Sequence, residues 1–363
     1  MNVSSHISRK DALRGITAVG MAAASTGRAD AADRLPDIIR AAKSERDLSF
    51  VAGSETMGGA PGVSALNEAF NKRFNLDVHI GLTPGPSMTA MGSRLVTEFK
   101  GNRTASTGVY MGPISQFAEL DRENVLQRVN WAGTFPWVPR EAVLSSTGAG
   151  LLVRTGPNAI VYNPKLLPPA QAPKRFEDLV DPRMVGAWSK RLAVPPYPDF
   201  LAGLTLLWGA DRVRDFAQKL VAVSAGQLRY GEAQPLIDGQ FSIMANVGSA
   251  LEMKWFWEAK GVIFNTVFGS NPAYSDYFQL GVPKNSSSPN LAQLFTAFMV
   301  TPEAQAITDK FGAQGSHLVP GTRVSSFIRT NHIRLIDARK IYEFYAAPGT
   351  AALYDELGKI LVH

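Results

Sequence analysis

Apolar positions just past residue 34 change period several times, and each change marks an element. Leu35, Ile38, Ile39 and Ala42 recur at helical spacing, which predicts a helix over 35–46. Leu48 to Ala52 then reads as a strand, and the turn-forming stretch Gly53 to Gly62 as a loop leading into a helix from Val63 to Arg73. The unit repeats. Leu76 to Gly81 reads as a strand and Thr83 to Ser87 as a loop, and Met88, Met91, Leu95 and Phe99 form one face of a helix. Such alternation predicts α/β layers around a largely parallel sheet covered on both faces.

In the C-terminal third, Ser288-Pro289 and Thr301-Pro302 each place a capping side chain before a proline at the first helical position, with Gly312 as a stop. Between them, Leu291, Leu294, Phe295 and Phe298 recur at helical spacing and read as core. Ile333 to Leu361 has helical apolar spacing rich in Tyr and Phe, which predicts helices capping the rest. Trp255 and Trp257 lie two positions apart, on different helix faces, so with Phe256 they read as packing rather than as an aromatic box.

Composition narrows the class. The 363 residues are 45% hydrophobic, enough for two ordinary domains with buried cores. No apolar run reaches the roughly 20 residues a membrane-spanning helix needs. Arg9, Lys10 and Arg14, a small-residue stretch from Gly15 to Gly27, and Ala29-Asp30-Ala31 form the pattern of a signal peptide over 1–31. Ser8 to Arg14 resembles a twin-arginine export signal with Lys10 in place of the second arginine, and the general secretory route stays open. There is no cysteine, so disulfides, thiolate metal sites and an N-terminal lipid anchor are excluded. Removing residues 1–31 takes away four basic and two acidic side chains, lowering the formal charge from +6 to +4, and no Lys/Arg run points to nucleic acid.

Four segments carry a resemblance when taken in order: Pro173–Pro182 (PKRFEDLVDP), Leu192–Pro195 (LAVP), Leu280–Lys284 (LGVPK) and Phe295–Gln305 (FTAFMVTPEAQ). The series resembles the extracellular solute-binding proteins of bacterial ABC importers, family 1, in the subgroup of ferric-ion and anion binders. The resemblance implies the type II periplasmic-binding-protein fold, two α/β lobes joined by crossing hinge strands. It places the first lobe at 32–155 and 278–330, the second at 156–277, and C-terminal helices at 331–363 packing on both. The crossings fall near Leu151 to Val161 and Tyr277 to Val282. A monomer in the periplasm is implied, with a small-molecule solute, a permease and its ATPase as partners and no cofactor.

In this architecture the ligand loops follow strands, where helix N-termini present free amides. Four candidates result. Ser54, Thr56 and Met57, with Glu55, follow the first strand. Gly112, Pro113 and Ser115 follow Val109 to Met111, and Ser115 reads equally as a helix cap. Tyr197, beside Asp199, and Tyr230 offer a ring with a hydroxyl. Asn246 and Ser249 flank Val247-Gly248, where the ferric binders carry two consecutive tyrosines. The family's acidic iron ligand corresponds to Gly112, and the 53–62 loop has no histidine, so no metal ligand is expected. An organic or oxyanionic solute is the leading expectation, with a ferric, cationic or polyamine ligand as the alternative. Glu55 and Asp199 favour a cationic or zwitterionic ligand if they point inward.

An enzyme is the rival class. No G-x-S-x-G elbow and no H-E-x-x-H occur, and of five histidines His6 falls in the signal, His363 ends the chain, and His79, His317 and His332 lack motif partners. The expectation is a non-enzyme. A ligand sensor docking on a membrane receptor is the third reading.

Overall fold

A computed structural model describes residues 34–188 and 190–362; the expected signal peptide lies outside them. Among the described residues, ten strands form three sheets. β1 (Asp47–Ala52) pairs parallel with β2 (His79–Pro84), while β10 (Ser275–Gly281) lies antiparallel between β3 (Tyr110–Pro113) and β4 (Leu151–Pro157). The Gly108 amide donates to Ser49 O at 2.7 Å and the Val51 amide to Thr107 Oγ1 at 3.0 Å, so these two sheets form one layer. The third sheet has the order β7 (Gly226–Gln227), β6 (Leu192–Val194), β8 (Ile243–Val247), β5 (Ala159–Tyr162) and β9 (Asn265–Val267). β6 runs parallel to both neighbours, and β5 antiparallel to both of its own. The sheets are thus mixed rather than largely parallel, because the strands that pass between layers enter each sheet against its direction.

Twelve helices of eight or more residues are described: α1 (Leu35–Glu45), α2 (Gly59–Phe74), α3 (Met88–Lys100), α4 (Ile114–Arg122), α5 (Asp199–Trp208), α6 (Ala210–Val223), α7 (Ala250–Glu258), α8 (Pro289–Phe298), α9 (Pro302–Gly312), α10 (Arg323–Thr330), α11 (Ala338–Ala346) and α12 (Thr350–Val362). None of the described helices is long and apolar enough to cross a membrane. Leu291, Leu294, Phe295 and Phe298 are fully buried, and Phe70, Phe295 and Phe298 meet edge to face at 5.5–5.8 Å, which locks α8 onto α2.

Two local expectations shift. β2 starts at His79 rather than Leu76, because the Asn71 side chain brackets Val78, accepting from its N–H and donating to its carbonyl, and holds the chain in a turn until pairing begins. α8 is not capped by Ser288, whose hydroxyl donates to Asp47 O at 2.6 Å. The Glu45 carboxylate at the end of α1 accepts the Asn290 and Leu291 amides instead, at 3.2 and 2.7 Å. Thr301 caps α9 as expected, accepting from the Ala304 amide at 3.2 Å.

The layers exchange chain twice. β4 hands over to β5 at Asn158, and the chain returns from β9 to β10, with the Asn158 amide donating to Tyr274 O at 3.0 Å between the two crossings. The C-terminal helices touch both layers. Tyr342 of α11 donates to Asp121 Oδ2 of α4 at 2.8 Å, whereas Glu356 of α12 pairs with Arg214 of α6 at 2.7 Å.

Candidate functional site

The crossing strands form the floor of a cavity of about 590 Å3 between the layers. Arg154 on β4 and Phe278 on β10 are register partners, and the guanidinium lies 4.3 Å from the ring centroid. Asp276, two residues before Phe278, completes the floor. One wall is the loop after β1, the start of α3 and the end of α9; the other is the Tyr197, Tyr230 and α7 side.

Six expected residues line this cavity: Ser54, Thr56, Pro113, Tyr197, Tyr230 and Ser249. The other four sit behind it. Met57 is buried, and its amide donates to Gln314 Oε1 at 2.8 Å. Gly112 pairs with Gln279 inside the sheet. Ser115 donates to Asp199 Oδ1 at 2.8 Å, and the Asn246 amide donates to Tyr230 Oη at 3.4 Å. These last two hold residues that line the cavity.

The first loop is less open to an anion than its composition suggests. Gln314 takes the Met57 amide, while the Thr56 and Gly58 amides close turns onto Gly53 O and Glu55 O. On the opposite wall the two helix starts carry their own carboxylates, Asp199 in the first turn of α5 and Glu252 in that of α7. Glu252 accepts from Arg154 Nε at 2.7 Å, and Arg154 Nη2 donates to Ser249 Oγ at 2.8 Å. Burial raises the Glu252 carboxyl to about 7 despite the Arg154 charge beside it.

Glu55, Asp199 and Asp276 also border the cavity, with Arg154 as the cation among them. Burial raises Asp199, opposed by its hydrogen bonds from Ser115 and Tyr354. Burial and then the Asp199 charge raise Asp276 to about 7. The Tyr197 and Tyr230 rings lie 4.9 Å apart at 37°, and burial with the two aspartates keeps the Tyr230 phenol protonated far above its usual range. Gly248 sits under this group, and a Cβ there would overlap Asp276 Oδ2.

Phe256 and Phe311 are exposed large apolar residues bordering the cavity, on α7 and α9. Trp255 packs edge to face on Phe327, as expected of a packing residue, but Phe256 and Trp257 border the cavity with Lys260 Nζ over both rings. A second depression of about 900 Å3, bordered by Arg128, Arg140 and Arg339, draws no residue from β5 to β9. Arg154, Glu252, Asp276 and Phe278 were missed from the sequence. The available signal was a lone charge in an otherwise uncharged strand, Arg154 in LLVRTGP and Asp276 in SDYFQLG.

No family model matches the chain, and no curated protein matches it in sequence. Solved structures do. The substrate-binding protein of an ABC transporter from Agrobacterium tumefaciens aligns with a TM-score of 0.70 at 16% identity, over 89% of this chain and 97% of that one. Iron-bound HitA from Pseudomonas aeruginosa aligns with a TM-score of 0.64 at 19% identity, over 87% and 98%. AfuA from Actinobacillus pleuropneumoniae, a periplasmic binding protein with fructose-6-phosphate bound, gives 0.65 at 15% identity, over 86% and 97%. The fold is therefore that of the two-lobed type II periplasmic binding proteins.

Proposed function

We propose that this protein captures a small organic solute between its lobes and delivers it to the permease and ATPase of an ABC importer. It works as a monomer in the periplasm, with no catalytic step. The observation that carries the reading is the position of the cavity, floored by the two crossing strands and walled by residues of both layers. A ligand there touches both lobes and the hinge together, the condition for binding energy to drive closure. The exposed Phe256 and Phe311 fit closure as well, since they stand on opposite lips and lose apolar surface to water when the lips meet. The similar structures named above are binding proteins, which supports the same reading.

The organic branch is favoured over ferric iron by Gly248. Any tyrosine at that position would drive its Cβ into the Asp276 carboxylate. The test is small-angle scattering on protein stripped of solute by denaturation and refolding, then given back the small molecules released from it. Contraction is expected for the unaltered protein and a weaker response for Ser54→Ala and Tyr230→Ala, one on each wall. Full contraction in both variants would show that the solute binds elsewhere.

A further inference from the structure

Asp276 is 8% exposed, and it borders the ligand cavity. Among the described residues the Asn158 side-chain amide is the one donor facing its carboxylate and acts to lower it, but the contact falls short of hydrogen-bond geometry and leaves Asn158 Nδ2 buried without a partner. The other carboxylates deep in the cavity are satisfied. Asp199 accepts from Ser115 and Tyr354 at 2.8 Å each, and Glu252 holds Arg154 in a two-point pair. A buried carboxylate normally has hydrogen-bond donors, and leaving one without them is costly. The acceptors of Asp276 therefore ask for a better-placed donor than Asn158 supplies.

The surroundings specify the donor's charge. Arg154 is spent on Glu252 and Ser249, and the Asp199 charge stands close enough to raise Asp276. A neutral donor would leave two carboxylates repelling each other, whereas a cation relieves both. Gly248 lets Asp276 Oδ2 reach the cavity wall beside Tyr230, and the tilted Tyr197–Tyr230 pair supplies aromatic faces next to it.

We propose that the solute carries a protonated primary or secondary amine, and that Asp276 is its anchor, accepting the N–H hydrogen bonds with Tyr230 and Tyr197 flanking. The inference rests on the solute-capture reading above. A quaternary ammonium fits less well, because it has no N–H to fill the Asp276 acceptors.

Equilibrium dialysis tests it, against three pools of small molecules: primary and secondary amines, neutral polyols and sugars, and carboxylates with phosphates. Bound species are read by mass spectrometry for the unaltered protein and for Asp276→Asn. The unaltered protein should retain a member of the amine pool. Asp276→Asn should lose it by roughly thirtyfold or more, the scale expected when one partner of a buried charge pair is removed. The variant should also unfold at a higher temperature without ligand, since it removes an unpaired buried carboxylate. Retention of the neutral or anionic pool alone, or equal amine retention by both proteins, overturns the amine anchor and leaves solute capture standing. Retention of nothing from any pool contradicts solute capture itself, and the anchor falls with it.

Discussion

Ser115 at the start of α4 and Asp199 at the start of α5 are hydrogen-bonded between the two layers, Oγ to Oδ1, at 2.8 Å. The same aspartate accepts from Tyr354 at 2.8 Å through its side chain and from Tyr345 at 2.9 Å through its carbonyl. Asp199 thereby ties α4, α5 and the C-terminal helices at one point. Ser115→Ala removes a bond to a carboxylate, costing about 1.5–3 kcal/mol of the lobe-contacting state. The radius from small-angle scattering is expected to rise in the variant; an unchanged radius would mean that the bond does not hold the lobes together.

Arg154 and Glu252 are each about nine-tenths buried, and the pair connects the hinge strand β4 to α7. Glu252→Ala strands the guanidinium and is expected to cost about 3–5 kcal/mol. Urea unfolding measures it, and a loss within about 0.5 kcal/mol would place the pair among ordinary surface contacts.

Asp276 sets a pH dependence. Its folded value of about 7 lies above the unfolded 3.8, so between them the folded protein holds a proton that the unfolded chain releases. Its contribution to ligand-free stability is full below the unfolded value and lost as pH rises through 7. Asp199, Glu252, Arg154, Asn158, Tyr230, Tyr274, Tyr345 and Tyr354 are the charged and polar groups around it, and Glu252, also raised to about 7, adds in the same direction. The thermal midpoint of the ligand-free protein should fall from pH 5 to pH 8 by the equivalent of a few kcal/mol, and Asp276→Asn should flatten that slope. An equal slope in the variant would assign the effect to other groups.

Gly248→Ala places a methyl group against the Asp276 carboxylate. A stability loss of about 1–3 kcal/mol is expected, together with loss of solute. Circular dichroism melts and solute retention read the two effects separately.

Glu45→Ala removes the cap that α1 lends to α8. The expected cost is about 1 kcal/mol, with no change in solute retention, since the cap lies outside the cavity.

Local pattern made the early β1, α2, β2, α3 succession legible, because periodicity and turn residues act within a few positions of one another. The rule that ligand loops follow strands, taken with the family resemblance, pointed to Ser54, Thr56, Pro113, Tyr197, Tyr230 and Ser249, which line the cavity. The side chains of the floor were not legible. Arg154 and Asp276 line one cavity floor only because β4 pairs with β10 from far along the chain, and nothing in either segment announces its partner. Ser115 shows the same limit: a hydroxyl after a strand reads as a ligand donor or a cap, and only the tertiary structure brings Asp199 to it. Glu45, likewise, caps a helix some 245 residues away in sequence.

Native mass spectrometry of the mature protein, purified without denaturation and compared with its denatured mass, tests the central claim most directly. A discrete extra mass is expected in the native spectrum, belonging to an amine-bearing small molecule, and its absence from Asp276→Asn prepared in the same way. An extra mass belonging to a bare metal ion or an inorganic anion, retained equally by the variant, would contradict it.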